Sequence, residues 1–561
     1  MLATIVRLYA VHGARSCPVC VPGGTVMSLQ LLSGPRPARR RRRLRAAAVA
    51  VAVALALPAA GCSGGHERRS DDDTFVYLSS RGLVTEWDPA RSYSDEVVAL
   101  SNMYETLTRY NAVTRRTEGV LATRWKASAD RRTWTFTLRD HVRFHSGRPL
   151  TAQSVKAAVE RTMKLKASAS YVWDPVEKIT PVGTRQVRFQ LSRPAPLDII
   201  ASATYAAWIY EVSDDTKAYR ATARGTGPYT VASWNPGSEN EVELTAFKDY
   251  WGGWRGNRYT KVVYRSVPQS STEAQLMTAG EGTYVGGLPP QLVDTLRGRP
   301  NLTVYERPSW QTLIGLMNTQ KKPLDDIRVR RAVADALDHR ELIKASRGAL
   351  VPSDGLIPKG MFGHATTLDL PGDRTRARKL LKEAGYGPGS GRTITLEMTY
   401  PAGEDTIRTL GDLMKSQLRP FGIDLRVEGL AWSSAQWPRA KNKNPAKRQD
   451  IFVMWWWPDD PEPLSYFRNV FRTEKEISYN LAYYSNPRLD RLIDRVGALT
   501  ATDPREAVRT YRRMQEILIR DAPVLFLGTN TYQRVLNSSV RGFVDNPAYA
   551  NVVFVHDLTH H

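Results

Sequence analysis

An arginine run followed by an uncharged apolar stretch sets the first limit on what this 561-residue chain can fold into. Arg39 to Arg43 and Arg45 precede Ala46 to Ala60, which carry no charge, and Gly61-Cys62-Ser63-Gly64-Gly65 follows. A basic n-region, an apolar h-region and a small-residue cleavage zone together describe an export signal. The apolar stretch is shorter than the roughly twenty residues that span a bilayer as a helix, and Pro58 interrupts it near its end. Nothing on it is amphipathic, which argues against a buried core helix. Residues 1–61 are therefore read as a signal peptide, and the fold lies beyond them. Of the three cysteines, Cys17 and Cys20 lie upstream of the cleavage zone and Cys62 is the last. The CxxC spacing of Cys17-Pro-Val-Cys20 is thus incidental, and a disulfide scaffold is excluded. Cohesion has to come from hydrophobic cores, for which the remaining chain is long enough.

The charge is read in the same light. The chain holds 79 Lys and Arg against 56 Asp and Glu, a net +23, which at face value invites nucleic acid. Nine arginines and no acid fall within the first 61 residues, so the body carries +14, mostly dispersed. Its one local concentration, Arg439, Lys441, Lys443, Lys447 and Arg448, is read as a solvated loop, and no nucleic-acid partner is implied. Ala59-Ala60-Gly61-Cys62 resembles a bacterial lipobox, with Ala59 where Leu is usual. By that resemblance Cys62 becomes the mature N-terminus and carries lipid, with several acyl chains giving stable anchoring to the outer face of the cytoplasmic membrane. Met27 is an alternative start that shortens an unusually long n-region. Residues 62–73 lack large apolar side chains and read as a flexible tether.

From Phe75-Val76-Tyr77-Leu78 onward, strand-like and helix-like segments interleave without a repeat, so the class is α/β, or mixed α+β. Thr133 to Phe144 alternates Trp134, Phe136 and Leu138 with threonines, a half-buried strand. Thr151 is the expected cap of a helix with Val155, Ala158 and Val159 on its apolar stripe. Asp326 to Ser346 predicts one helix, Asp373 caps another that Gly385 stops, and Asp503-Pro504 opens a third ended at Pro523. Asp450 to Trp457 reads as a strand running into the acidic loop Pro458 to Pro463. A strand end opening into such a loop is a common ligand position.

Catalytic templates fail in turn. No Gly-Lys pair exists, which excludes a Walker phosphate loop. Gly225-Thr-Gly-Pro-Tyr-Thr230 begins like a dinucleotide fingerprint, but Thr230 replaces the last glycine and Pro228 interrupts it. His141 and His145 have zinc-like spacing yet sit on and just after a strand, with no third ligand nearby, so no metal and no cofactor are expected. Gly61 to Gly65 is the only Gly-x-Ser-x-Gly match, and it lies in the cleavage zone. Asp459, Asp460 and Glu462 could form a carboxylate pair for hydrolysis, though residues so close in sequence seldom face each other across a bond.

Five stretches, in order, resemble the extracellular solute-binding proteins of family 5, the peptide- and nickel-type receptors of ABC importers. They are Trp87 to Tyr93 with Asn102 to Asn111; Leu121 to Val155, with Ser154 where the family usually has Asp; Gly225 to Gly237 with Lys248 to Gly253; Met317 to Ile343; and Asp450 to Phe467 joined to the tail helix. The resemblance implies a two-lobed periplasmic-binding-protein-like fold of type II with an inserted subdomain and a hinge. Lobe I would comprise 74–107, 222–308 and 526–561, the inserted subdomain 108–221, and lobe II 309–525. It further implies a binding protein rather than an enzyme, without a catalytic set, that captures an oligopeptide or related amine-bearing solute and delivers it, as a monomer, to an ABC permease and its ATPase. A nickel-chelate or oligosaccharide receptor is the alternative, and an exported hydrolase using Asp459 and Glu462 is a further one. Peptide-binding members place an Asp three residues after a Trp against the peptide's α-ammonium, a spacing met here by Trp456 and Asp459. Trp457 and Trp455 stand where the family has smaller residues and would narrow the pocket, while Trp437 and Tyr93 fall where members line the cleft.

Overall fold

The computed structural model describes residues 73–561, apart from 81–83, 216, 223 and 237–240. The expected signal peptide, the lipidation site Cys62 and all of the tether except Asp73 lie outside the described residues.

One large mixed sheet organises the body. Its strands run in the order Ile423–Leu430, Ile394–Pro401, Ile451–Trp456, Leu302–Met317, Val524–Asn537, Tyr284–Gly286, Thr74–Ser79, Lys261–Ser266, Glu241–Ala246 and Tyr229–Asn235, with Leu350–Val351 added beside Val524–Asn537. Thr74–Ser79 runs parallel to both of its neighbours, and Ile394–Pro401 does likewise at the other end. The two longest strands, Leu302–Met317 and Val524–Asn537, pair antiparallel in the middle and join the two halves. Their register breaks between Pro308, opposite Thr531, and Thr312, opposite Thr529, so Ser309 to Gln311 face Asn530 alone. Extra residues on one strand bend a ribbon and sharpen its twist, which makes this the point where the two halves change direction. Ser309 Oγ donates to the Asn530 carbonyl at 2.9 Å and Asn530 Nδ2 to Gln311 Oε1 at 2.7 Å, holding the bulge closed.

A separate four-stranded antiparallel sheet, ordered Ala122–Ala127, Thr133–Leu138, Gln186–Leu191 and Val176–Val182, packs on the helix Ala152–Leu165. Trp134, Phe136 and Leu138 are buried as the alternation predicts, but the strand ends at Leu138 rather than Phe144. His141, at φ 59°, turns the chain immediately after it. Thr151 caps the helix as expected. Its Oγ1 accepts from the Ser154 N–H at 3.2 Å while Ser154 Oγ accepts from the Thr151 N–H at 2.9 Å, so Ser154 completes a reciprocal capping box.

Two further sequence expectations are corrected. Asp326 to Ser346 is two helices, Ile327–Ala336 and His339–Ala345, because Asp338 leaves the helical conformation and its carboxylate caps Arg340 and Glu341. The basic stretch from Arg439 to Arg448 is not simply solvated. Arg439 bonds Glu397 and, at 3.2 Å, Glu428; Lys441 donates to the Ile477 carbonyl; and Arg448 lies 4.0 Å above the Tyr483 ring. The other helices follow the sequence: Asp373 caps Arg374–Glu383, and Pro504–Asp521 buries Tyr511, Met514 and Leu518.

Candidate functional site

The strand Ile451–Trp456 positions the site, and its alternation explains how. Phe452, Met454 and Trp456 join one hydrophobic core, while Ile451, Val453 and Trp455 pack against another formed with the helices at 327–336, 374–383 and 405–418. Consecutive tryptophans therefore point to opposite faces. Trp455 Nε1 donates to Glu404 at 3.2 Å, and Trp455 lines the cavity described below. Trp456 turns to the Tyr479 ring, with centroids 5.2 Å apart, and its buried indole N–H has no hydrogen-bond partner among the described residues.

Beyond Trp456, prolines 458, 461 and 463 keep the chain from continuing the ladder, and the helix Leu464–Phe471 follows. Asp459 sits in this turn, 2% exposed. Three donors from three segments converge on its carboxylate. Tyr93 donates its hydroxyl at 3.2 Å, Tyr171 donates to the other oxygen, and Asn469 Nδ2 donates at 3.1 Å while also reaching the Tyr171 hydroxyl at 2.8 Å. No cation pairs with it among the described residues. Burial raises its pKa to about 6, opposed by the bonds from Tyr171, Tyr93 and Asn469.

Aromatic rings surround this carboxylate. Tyr93 meets Tyr205 at 5.1 Å and Tyr479 at 6.4 Å, and Tyr479 in turn meets Trp437 at 5.0 Å. Trp457, partly buried, packs against the same core as Trp456. The structure thus gathers all five residues singled out from the sequence, Tyr93, Trp437, Trp456, Trp457 and Asp459, into one neighbourhood. Sequence reasoning missed Tyr171, Tyr205, Asn469 and Tyr479. Asn469 is one helix beyond the Trp-x-x-Asp spacing and could have been suspected. The tyrosines come from segments with no local signal.

The other two acids do different work. Glu462 accepts from Tyr511 at 2.8 Å and from Thr500, both on the helices that follow, and burial lifts its pKa to about 7. Asp460 is pushed well up by burial, then by Glu462 and Asp459. Asp459 and Glu462 thus serve separate hydrogen-bond groups. His145 Nε2 lies 2.9 Å from the Gly227 carbonyl, and among the described residues no group of three His, Cys, Asp or Glu could hold a metal ion.

Between the two halves of the sheet lies a cavity of about 430 Å³, lined among others by Tyr77, Gln311, Glu404, Trp455, Tyr532 and Arg534. Asp459, sealed by its tyrosines, does not line it.

Several motif residues prove to be scaffold. Asp88, 1% exposed, takes a bidentate pair from Arg161 at 2.6 and 2.8 Å, tying the turn after the first strand to the helix Ala152–Leu165. Glu105 accepts from Thr226 at 2.8 Å, Tyr250 at 3.0 Å and Trp251 at 3.0 Å, so two of the quoted stretches converge on one buried carboxylate.

Among the described residues no helix is long and apolar enough to cross a membrane. Relatives agree over most of the chain. A probable D,D-dipeptide-binding periplasmic protein, DdpA of Escherichia coli, is 27% identical over 453 residues, 79% of this chain and 85% of that protein. The glutathione-binding protein GsiB of Salmonella typhi is 26% identical over 505 residues, covering 84% and 96%. The fold matches the periplasmic binding protein DppA of Helicobacter pylori in complex with the peptide STSA, at a TM-score of 0.72 and 23% identity, covering 87% of this chain and 98% of that one. NikA of Brucella suis, in complex with Fe(III)-EDTA, matches at 0.76 and 21%, covering 87% and 100%. The architecture is therefore the two-lobed α/β fold of periplasmic binding proteins. Residues 116–477 match the family described as bacterial extracellular solute-binding proteins, family 5 Middle, and the chain belongs to that family of ABC-importer binding proteins.

Proposed function

We propose that this protein is the lipid-anchored receptor of an ABC importer for short peptides or related amine-bearing solutes, with Asp459 as the seat of the ammonium group. One observation carries the reading: a buried carboxylate with a raised pKa, three neutral donors and no cation, set among aromatic rings. A carboxylate offers about four lone-pair sites. Tyr93, Tyr171 and Asn469 take three, which leaves a place for an N⁺–H donor. An ammonium there would offset the cost of the buried charge, and Tyr93, Tyr479 and Trp456 supply faces to a cation. Trp437 and Trp457 complete the wall. Asp459 does not line the cavity along Gln311 and Trp455, so in this reading its tyrosine cover parts to admit the solute, whose body takes that cavity with buried Arg534 as counter-charge for its carboxylate.

In this reading 74–107, 222–308 and 526–561 form one lobe, 309–525 the other and 108–221 the inserted subdomain. The bulge at Ser309 to Gln311 is the hinge strand's flexible point. Closure on solute presents a surface to the permease and its ATPase, Cys62 holds the monomeric receptor at the membrane, and the protein catalyses nothing. The names of the relatives give the probes: D-alanyl-D-alanine and glutathione, each with its N-acetylated form, titrated calorimetrically against the parent and Asp459→Asn. The variant should lose at least tenfold for the free amine and little for the acetylated form. Equal loss for both refutes the ammonium role, and release of a shortened product would favour a hydrolase instead.

A further inference from the structure

A second cavity, of about 520 Å³, opens on residues the solute site does not use. Its floor is aromatic. Tyr110 and Trp310 lie with ring centroids 5.3 Å apart, and Tyr305 and Phe543 at 5.2 Å. Its rim is basic: Arg115, Arg307 and Lys359 are all exposed, and none forms an ion pair among the described residues. Arg307 Nη1 spends one donor on the Glu306 carbonyl at 2.9 Å. Arg115 is presented by a hairpin turn in which it adopts φ 56° and donates its N–H to the Asn111 carbonyl at 2.8 Å. The one acid on the wall, Asp545, faces buried Arg534 at 3.7 Å and is also attracted by Arg307, so one carboxylate is shared between a buried cation and the rim.

The volume falls within the range of small-molecule sites. Paired rings on the floor favour a flat apolar body, since offset and edge-on ring contacts add to burial. Three exposed cations against one acid at the mouth favour a negative group on that body, and guanidinium groups suit an anionic oxygen pair. We propose that this cavity is a second ligand site, for a small aromatic anion. Its walls come from the Thr108–Gly119 hairpin, the strand at Tyr305 to Trp310, the turn at Lys359 and the C-terminal segment near Phe543. Trp310 lies in the bulge whose next residue, Gln311, lines the other cavity, so an occupant would touch the segment on which the two halves of the sheet turn.

The test uses 8-anilinonaphthalene-1-sulfonate, an aromatic anion that fluoresces on binding, and the neutral N-phenyl-1-naphthylamine. The mature protein is titrated with each, alongside an Arg307→Ser/Lys359→Ser variant, whose exposed side chains are not required for packing. Circular dichroism checks that the variant is folded. The sulfonate should saturate one site, and the double variant should weaken it at least tenfold while binding of the neutral dye changes less than twofold. Raising salt from 50 to 500 mM should weaken the sulfonate in the parent far more than in the variant. Unchanged sulfonate affinity in the variant, or equal losses for both dyes, overturns the assignment.

Discussion

Replacing Asp459 with Asn should stabilise the ligand-free protein above neutral pH while impairing binding. Asp459 is fully buried and has its pKa raised from 3.8 to about 6, mainly by burial. A folded-state pKa above the unfolded value means that the folded form holds the proton more tightly. The resulting stability is present below pH 3.8 and is lost as pH rises through 6. At about 1.4 kcal/mol per pH unit, the interval corresponds to about 3 kcal/mol once the carboxylate is ionised in both states. By pH 4.5 only about 1 kcal/mol of that loss has accrued. Asn cannot ionise but loses one or two of the bonds from Tyr93, Tyr171 and Asn469, at roughly 1 kcal/mol each. That loss is similar at both pH values. The difference between pH 7.5 and pH 4.5 therefore isolates the charge, and Asn should gain about 2 kcal/mol relative to Asp across that range. Asp460 and Glu462 remain in both proteins. Removing the Asp459 charge also eases ionisation of Asp460, which acts in the same direction. Denaturant unfolding of parent and variant at the two pH values, without ligand, measures it. If Asn is no better relative to Asp at pH 7.5 than at 4.5, the carboxylate is not held as an uncompensated buried charge, and the ammonium argument loses its base.

Three other outcomes follow from the scaffold. Arg161→Ala should destabilise by about 3–5 kcal/mol, because it strands the buried Asp88 carboxylate, and the denaturation midpoint reads it. Gly225→Ala should prevent accumulation of folded protein in expression trials, since a Cβ there would lie 1.9 Å from the Met103 carbonyl oxygen. Ser154→Ala should cost about 0.5–1 kcal/mol by opening the capping box, whereas Ser154→Asp should be neutral or better, as an acid at a helix start keeps the acceptor and meets the dipole; thermal melts distinguish the two.

These cases show why some of the molecule could be read in advance. Local rules act over a few residues, so the alternation at Trp134 to Leu138, the caps at Thr151 and Asp373 and the Trp-x-x-Asp spacing were all visible. The split at Asp338 was hidden because Val333, Ala336, Leu337 and Leu342 keep a continuous apolar pattern across it, and only the cap conformation breaks the helix. Gly225-Thr-Gly mimicked a nucleotide motif, yet the glycines are needed because the backbone passes against Met103. The bulge at Ser309 and the bond from Tyr171 to Asp459 depend on pairings between segments hundreds of residues apart, which no local pattern encodes.

Glu105 and Asp459 make the contrast that bears on function. Both are buried, both have raised pKa values from burial, and both accept from neutral hydroxyl and N–H donors. Glu105 is tied by Thr226, Tyr250 and Trp251 and accepts at both oxygens. Asp459 depends instead on a loop tyrosine, a tyrosine from a single turn at Ser170–Trp173 and an asparagine on the next helix. Both variants should gain on their parent as pH rises, since both carboxylates have raised pKa values. At pH 4.5, where neither charge weighs much, Glu105→Gln should cost more than Asp459→Asn, because donors from Thr226, Tyr250 and Trp251 demand an acceptor at both oxygens. Equal costs at pH 4.5 in denaturant unfolding would mean that the fold depends on Asp459 as it does on Glu105, and a smaller cost at Asp459 would leave its carboxylate for something other than the fold.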